Sequence, residues 1–326
     1  MRKAKIAGVG SYIPAKILTN ADLEKMVDTS DEWISTRTGI KERRIAGDDE
    51  AASDLAYRAS IEALRVAKVE PEELDMILVA TITPDMIFPA TGCILQKRLK
   101  AKKIAAFDLE AACSGFLYGL TIGNQFIATG MYDTILVVAA EALSKIIDWQ
   151  DRNTCVLFAD GAGAAVLRPS EDSSCIISSY LGADGEGADL VGVPAGGSRL
   201  PASFETVKRR QHYMKMKGNE LFKKAVKAMV KAIEISLEKS KFSIHDIDLF
   251  IPHQANIRII EAVVKRVGLS MDKVCINLDQ CGNMSAASIA VALDQAVKKG
   301  RVKKGDKLLL TSFGGGLTWA SMILEW

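Results

Sequence analysis

The apolar residues of this chain alternate between helical spacing and short continuous runs. Residues 51–68 carry apolar positions at helical spacing, and the run Leu74–Ala80 that follows has the length of a buried strand. The same order returns at residues 219–239, with helical spacing, and at Ile247–Ile251, with a strand-like run. Helices that alternate with buried strands predict an α/β fold.

The two copies of this helix–strand pattern are separated by a nearly constant number of residues. Asp75 and Asp248 stand 173 positions apart, and so do Asp133 and Asp306. The run before Cys113 also has a counterpart at Val274–Leu278, which predicts another strand followed by a helix. Repetition of whole elements predicts two homologous α/β halves, residues 1–170 and 171–326. Residues 182–217, rich in Gly, Pro and basic side chains, form the most loop-like interval.

Cys113 lies where a predicted strand turns into a predicted helix. Residues 104–109 are mostly apolar, and helical spacing begins after Gly115. Free N–H groups and the helix dipole gather at a helix N-terminus, so this placement predicts a lowered thiol pKa. The alternative is a small buried hydrophobe, which is the commoner role of a cysteine without context.

Other polar or glycine-rich segments also follow predicted strands. Ligands of open α/β sheets bind at the carboxyl ends of strands, so Cys113, His253, Asn283 and the glycines 314–316 are expected to converge on one pocket. A structural histidine and a turn asparagine are the alternatives for His253 and Asn283. Among these glycines, one backbone N–H is expected to join that of Cys113 in an oxyanion hole.

The two remaining histidines are weaker candidates for the site. His212 lies in a basic run, and His245 precedes an acidic loop, where it resembles a cap. His253 is therefore the histidine expected to act in the chemistry.

Composition narrows the class of protein. The 326 residues are 48% hydrophobic and 25% charged, with a net charge of +2, which predicts a globular chain that does not bind nucleic acid in bulk. No apolar run approaches the ~20 residues of a membrane span. Six cysteines lack metal-ligand spacing, so no metal is expected and reduced thiols in the cytoplasm are predicted.

The motifs resemble those of the β-ketoacyl-acyl-carrier-protein synthase III enzymes of the thiolase superfamily. Nearly the whole chain takes part in this resemblance. The motifs that carry it are Gly10–Pro14, Trp33–Ile40, Ala112–Phe116, Phe158–Ala164, Pro252–Asn256, Gly282–Ser288 and Phe313–Trp319. Ala320 departs from the glycine expected there. The resemblance implies a thiolase-like fold, with the two α/β halves packed as a five-layered α-β-α-β-α core.

The same resemblance implies a decarboxylative Claisen condensation that initiates fatty acid synthesis. Cys113 is expected to take an acyl group, with acetyl as the expected primer, from coenzyme A, while the N–H groups of Cys113 and Gly315 hold the oxyanion. His253 and Asn283 then donate hydrogen bonds to malonyl-acyl-carrier protein as CO2 leaves. Whether His253 also deprotonates the thiol stays open. The implied reaction needs no cofactor beyond the coenzyme A thioester and the phosphopantetheine of the carrier.

The resemblance also implies which residues contact the substrates. The residues implied in coenzyme A binding are Trp33, Arg37, Arg152, Phe222 and Asn256, for which core packing and capping are the alternatives. Those implied in docking the acidic carrier protein are Arg258, Lys223, Lys265 and Arg266, with Arg258 the strongest candidate. Phe88 is implied in closing the acyl pocket across the interface of a homodimer.

Three other functions remain open at this stage. One is a related acyl-CoA condensing enzyme that makes polyketides or alkylquinolones, with a different acyl pocket. The others are a Cys-His-Asn thioester hydrolase and a non-catalytic thioester-binding protein. Primer length and branching are not resolved, because one methylene changes binding by only ~1–3 kcal/mol.

Overall fold

The computed structural model describes residues 2–326, and its helices and strands alternate as the hydrophobic pattern predicts. The elements before residue 170 are β1 (Ala4–Tyr12), β2 (Lys16–Thr19), α1 (Asn20–Glu24), α2 (Asp31–Thr38), β3 (Glu42–Ile45), α3 (Ala52–Ala67), β4 (Met76–Ala80), α4 (Thr91–Leu99), β5 (Ala105–Leu109), α5 (Gly115–Thr129), β6 (Ile135–Ala142), α6 (Arg152–Cys155) and β7 (Asp160–Pro169). The later elements are β8 (Cys175–Ala183), β9 (Val191–Gly192), α7 (Phe204–Lys208), β10 (Lys215–Met216), α8 (Gly218–Ser240), β11 (Leu249–Pro252), α9 (Ile257–Val267), α10 (Leu278–Cys281), α11 (Ala287–Lys298), β12 (Lys307–Gly314) and β13 (Thr318–Glu325).

Two large sheets repeat one topology. The first has the strand order β1-β7-β6-β4-β5, in which β4 runs parallel to β5 and β6 while β7 runs antiparallel to β6 and β1. The second has the order β11-β12-β13-β8, with β11 parallel to β12 and both later pairs antiparallel. The strands β11, β12, β13 and β8 therefore correspond to β4, β6, β7 and β1.

Asp75 and Asp248, which stand 173 positions apart, have the same structural role in the two halves. Asp75 accepts a hydrogen bond from Thr134 N at 3.0 Å, and Asp248 accepts one from Lys307 N at 2.8 Å. Each carboxylate thereby ties the start of one strand to the start of its parallel neighbour. That the halves 1–170 and 171–326 arose by duplication stays a prediction.

Successive side chains of a strand point to opposite faces of its sheet, so each sheet can pack against helices on both sides. In β4, Met76 and Leu78 face the middle of the molecule, while Ile77 and Val79 face its outer side. Helices α5 and α11 pack between the sheets; α3 and α4 cover the first sheet, and α8 and α9 cover the second. This is the expected five-layered α-β-α-β-α core. Full burial of each such aliphatic side chain contributes about 1.5–3 kcal/mol.

The strand predicted at Val274–Leu278 is wrong. Val274 forms one isolated bridge with Phe250, and α10 begins at Leu278. Between them, the side chain of Gln254 donates to the carbonyl of Cys275 at 3.1 Å and accepts from Asn277 N at 3.0 Å. Because a buried side chain satisfies these backbone groups, the segment does not continue a strand ladder.

Residues 182–217 are irregular apart from short elements, as predicted. The carboxylate of Asp148, which is buried, accepts hydrogen bonds from Arg210 and from Lys215, the latter at 3.3 Å. The guanidinium of Arg210 holds the pKa of Asp148 far below its ordinary value. These contacts anchor the segment beside the first half. Within residues 2–326, none of the helices combines the length and apolarity needed to cross a bilayer.

Candidate active site

The polar strand ends selected from the sequence meet at one cavity of about 1460 Å³. Cys113 comes from the turn after β5, and His253 follows β11. Asn283 precedes α11, and the glycines 314–316 lie where β12 ends and turns toward β13. The predicted convergence of these segments is therefore found in the structure.

The turn at Cys113 is held against the glycine loop. Ala112 has a φ of 44°, in the left-handed region, and α5 begins at Gly115. A Cβ on Gly314 would lie 2.6 Å from Cys113 N, so only glycine allows the two backbones this close. The hydroxyl of Thr318 donates to Ala111 O at 2.7 Å and ties the two segments together. The backbone N–H of Cys113 therefore lies directly against the glycine loop.

The expectation of a lowered thiol pKa is wrong for this structure. Cys113 does lie at the N-terminal end of α5, but burial raises the pKa of its thiol to about 12. The carboxyl of Glu141 acts in the same direction, whereas the hydroxyl of Ser285 opposes it. Burial has the largest effect because the thiolate would lose its hydration, and it outweighs the opposing hydrogen bonds, including that of the Cys113 N–H. The resting nucleophile is therefore a neutral thiol.

His253 is also neutral at ordinary pH. It is buried, and its backbone N–H donates to Thr311 O at 2.8 Å, which fixes the turn after β11. Burial lowers the pKa of the imidazole to about 4. Among residues 2–326, its Nδ1 atom has no hydrogen-bond partner, so no neighbour there fixes the tautomer. A neutral imidazole can accept a proton or donate a hydrogen bond.

Asn283 is oriented as a donor toward the cavity. Its backbone N–H donates to Leu157 O, and its carbonyl accepts from Ala159 N, both at 2.9 Å. Its side-chain oxygen accepts the N–H of Ser285 at 2.9 Å. With the oxygen used internally, the amide NH2 is the end left for a ligand.

Aromatic and cationic groups line the mouth of the same cavity. The guanidinium carbon of Arg37 lies 5.1 Å from the ring centre of Trp33, and that of Arg152 lies 4.8 Å from it. Arg258 stands 5.8 Å from the ring centre of Phe222. These stacks suit a planar base next to phosphates, since rings stack on the base and guanidinium groups pair with anions.

Sequence profiles of one family match both halves of the chain. The profile described as 3-oxoacyl-[acyl-carrier-protein] synthase III matches residues 107–185, and the one for its C-terminal part matches residues 237–326. A beta-ketoacyl-[acyl-carrier-protein] synthase III from Caldanaerobacter subterraneus subsp. tengcongensis is 61% identical, over 99% of this chain and 98% of that protein. The chain belongs to the 3-oxoacyl-[acyl-carrier-protein] synthase III family.

Solved structures of similar proteins share the fold. The synthase III from Aquifex aeolicus VF5 superposes with a TM-score of 0.92 at 49% identity, covering 99% of this chain and all of that one. A priming β-ketosynthase from the R1128 polyketide biosynthetic pathway gives 0.92 at 36% identity, covering 99% and 96%. The predicted thiolase-like fold is thereby confirmed.

Most residues predicted to contact substrate line the synthase III cavity, and a few do not. Asn256 lines it, although its side chain also caps α9 by accepting from Arg258 N at 2.8 Å. Lys223 lines it as well. Lys265 and Arg266 are exposed on α9, away from the cavity. Phe88 is 82% exposed and lies outside the lining.

Two buried polar residues at the site escaped the sequence argument. Ser285 lines the cavity and lies beside Cys113, and Glu141 is fully buried behind it. Burial raises the pKa of Glu141 to about 7. The sequence does contain a signal for Glu141, because it is the one carboxylate in the otherwise apolar run Ile135–Ala142. A buried charge without a partner is costly, so such a residue is a candidate for a functional role.

Proposed function

We propose that this synthase III condenses an acyl-CoA primer with malonyl-acyl-carrier protein, giving 3-oxoacyl-acyl-carrier protein, free coenzyme A and CO2. The reaction initiates fatty acid synthesis, and acetyl-CoA is the proposed primer. The observation that carries the assignment is the meeting of Cys113, His253 and Asn283 in one cavity whose mouth is lined by stacked arginines.

The first half-reaction acylates the cysteine. The sulfur of Cys113 attacks the thioester carbonyl while its proton passes to the imidazole of His253, because the resting pair is a neutral thiol and a neutral imidazole. The N–H groups of Cys113 and Gly315 hold the tetrahedral oxyanion. As the carbon–sulfur bond to coenzyme A breaks, the imidazolium returns the proton to the leaving thiolate.

The second half-reaction forms the carbon–carbon bond. Loss of CO2 from the malonyl group leaves an enolate whose oxygen accepts hydrogen bonds from His253 and from the Asn283 amide. The enolate carbon attacks the acyl group, and the bond to Cys113 breaks. The released thiolate takes one proton from water, which balances the charge lost with the carboxylate.

The arrangement favours condensation over hydrolysis. In a Cys-His-Asn hydrolase the asparagine orients the histidine by bonding to its second nitrogen. Here the Asn283 oxygen accepts from Ser285 N, and Nδ1 of His253 has no partner in the part of the chain that the structure describes. The asparagine is thus free to act on the substrate.

Exposed basic and apolar side chains support two proposed partners, the acyl-carrier protein and a second copy of this chain. Arg258 and Lys223 border the cavity mouth, where they would meet an acidic carrier protein, and Lys265 and Arg266 would extend that face. A homodimer is proposed because Met86, Ile87 and Phe88 expose 49%, 84% and 82% of their surface on one loop. Cytoplasmic placement stays a prediction from the reduced cysteines.

Separate measurement of the half-reactions tests the assignment. The Asn283→Ala variant is expected to form acyl-enzyme at the wild-type rate but to release CO2 from malonyl-acyl-carrier protein ~10²–10³-fold more slowly. His253→Ala is expected to slow both steps. Asn153→Ala, at the cavity mouth, is the matched control. Wild-type CO2 release by Asn283→Ala would contradict the assigned role.

Primer length separates this function from polyketide priming. The 36% identical neighbour carries the name of a priming ketosynthase of a polyketide pathway, so polyketide priming is the second candidate function. Comparison of acyl-enzyme formation across acetyl-CoA, branched and longer acyl-CoAs measures that preference.

A further inference from the structure

Arg43, on strand β3, is fully buried although it carries a charge. Its Nη1 donates to Asn20 Oδ1 and its Nη2 donates to the carbonyl oxygen of Val156, both at 2.6 Å. Its Nε finds no partner among residues 2–326. Burial lowers the pKa of the guanidinium to about 10, so the group stays charged at neutral pH. A buried charge whose hydrogen bonds go to neutral acceptors is costly, and the reaction proposed above gives it no part.

Asn283 is held at the cavity by a backbone bridge to residues 156–159. Its N–H donates to Leu157 O, and its carbonyl accepts from Ala159 N, both at 2.9 Å. Phe158 and Asn283 thereby pair as one isolated parallel bridge. Because hydrogen bonds on both sides fix the backbone of Asn283, the position of its side-chain amide depends on where residues 156–159 lie.

Arg43 contacts both strands of this bridge. The carbonyl that accepts from its Nη2 belongs to Val156, the residue directly before Leu157. On the other strand, a Cβ on Gly282 would lie 3.3 Å from Arg43 Cγ, so the arginine stem fills the space next to the residue before Asn283. Gly282 has a φ of 69°, in the left-handed region that glycine tolerates. One side chain therefore touches the residues that lead into both halves of the bridge.

Asn20 fixes the other end of the guanidinium. Its side-chain NH2 donates to Asp31 Oδ1 at 2.6 Å and to Ile40 O at 2.9 Å, which leaves Oδ1 as the acceptor for Arg43. Asp31 begins α2, the helix that carries Trp33 of the cavity mouth. The guanidinium is thus anchored to a helix of the mouth and reaches from there to the bridge of Asn283.

We propose that Arg43 is a positioning residue for Asn283: held by Asn20, its guanidinium fixes residues 156–159 and thereby the amide that donates to the substrate during condensation. Arg43 itself is not part of the cavity lining within the described chain. The turns of Cys113 and His253 are fixed elsewhere, by the glycine loop and by Thr311 O. The inference rests on the proposed role of Asn283, and it predicts a loss confined to the second half-reaction.

Arg43→Lys tests the proposal in the two half-reactions. It keeps the charge but replaces the planar fork by one ammonium group, which cannot span both acceptors. At saturating malonyl-acyl-carrier protein, CO2 release by preformed acyl-enzyme should be about tenfold slower, the loss typical of a hydrogen bond to a charged group. Acylation of Cys113 at saturating acetyl-CoA should keep its wild-type rate.

Arg44→Lys is the matched control for this substitution. Arg44 is the next residue on β3, where its Nε donates to Gln280 O at 3.3 Å and its Nη2 donates to Glu42 at 3.1 Å. Both half-reactions of this variant should match the wild type. Wild-type CO2 release by Arg43→Lys, or equal losses in its two half-reactions, would overturn the proposal.

Amide hydrogen exchange without substrate tests the inference independently of the proposed function. In Arg43→Lys the N–H groups of Asn283 and Ala159 should exchange about tenfold faster than in the wild type. The N–H of His253, which donates to Thr311 O, should be unchanged and is the internal reference. Unchanged exchange at Asn283, or equal acceleration at His253, would overturn the proposal.

A second variant guards against failure of the first to fold. Arg43→Met removes both hydrogen bonds together with the buried charge, and the same pattern of rates and exchange is expected from it. A wild-type enzyme that forms acyl-enzyme but releases no CO2 would refute the proposed function, and the exchange at Asn283 would still decide the role of Arg43.

Discussion

Replacement of Gly314 by alanine should damage the oxyanion hole through the backbone. The added Cβ would lie 2.6 Å from Cys113 N, 3.1 Å from Ala112 Cβ and 3.2 Å from Thr318 Oγ1. Ordinary contacts between such atoms are about 3.5 Å, so the segments must separate by ~1 Å. Overpacking of this kind costs about 1–3 kcal/mol of stability.

The catalytic loss should exceed the loss of stability. A displacement of ~1 Å moves the N–H of Cys113 away from the developing oxyanion, and a lost oxyanion-hole donor costs ~10²–10³ in rate. The assay is acyl-enzyme formation with acetyl-CoA, measured by quenched intact-protein mass, together with the melting temperature. Gly314→Ala should acylate at least ~10²-fold more slowly while remaining folded at the assay temperature.

Alanine substitutions at two other glycines, Gly315 and Gly192, should cause progressively smaller losses than the substitution at Gly314. A Cβ on Gly315 would meet the side-chain methyl of Val191 at 2.9 Å, a contact that a short strand can relieve, so Gly315→Ala should lose less. A Cβ on Gly192 would meet no atom of residues 2–326 within 4 Å, and Gly192→Ala should match the wild type. If Gly314→Ala acylates at the wild-type rate, the backbone argument is refuted.

Three more predictions concern the remaining parts of the site. Because burial lowers the pKa of His253 to about 4, the rate of Cys113 acylation should not change through protonation of His253 from neutral pH down to about pH 5, and it should fall near pH 4, where an imidazolium can no longer take the thiol proton; a midpoint near the ordinary histidine pKa of 6.5 would contradict this. Trp33→Ala should raise KM for acyl-CoA, since it removes the ring that both Arg37 and Arg152 contact, and leave condensation from preformed acyl-enzyme unchanged. Arg258→Glu should raise KM for malonyl-acyl-carrier protein more than for acyl-CoA, whereas equal losses would place Arg258 in the coenzyme A site.

The sequence predicts best those features that depend on local pattern. Strand β5 and helix α5 flank Cys113 where the change from a continuous apolar run to helical spacing indicates. The convergence of Cys113, His253 and Asn283 also follows, because strand ends of an α/β sheet share one edge.

Features that depend on three-dimensional surroundings are missed. The thiol pKa of Cys113 is raised chiefly by burial, and the burial of a side chain in the folded protein is not encoded in its sequence neighbours. The segment after Val274 fails as a strand because the distant side chain of Gln254 satisfies its backbone. The left-handed φ of Ser285 is likewise set by tertiary packing, since serine does not favour that conformation.

The most direct test of the account is intact-protein mass, first with acetyl-CoA alone and then with malonyl-acyl-carrier protein added. We predict one acetyl adduct on Cys113, absent in Cys113→Ser, which disappears as acetoacetyl-acyl-carrier protein forms. An adduct that appears only with longer acyl-CoAs would change the primer and keep the mechanism. An adduct on another residue, or none with any acyl-CoA, would contradict the assignment of Cys113 as the acyl-carrying nucleophile.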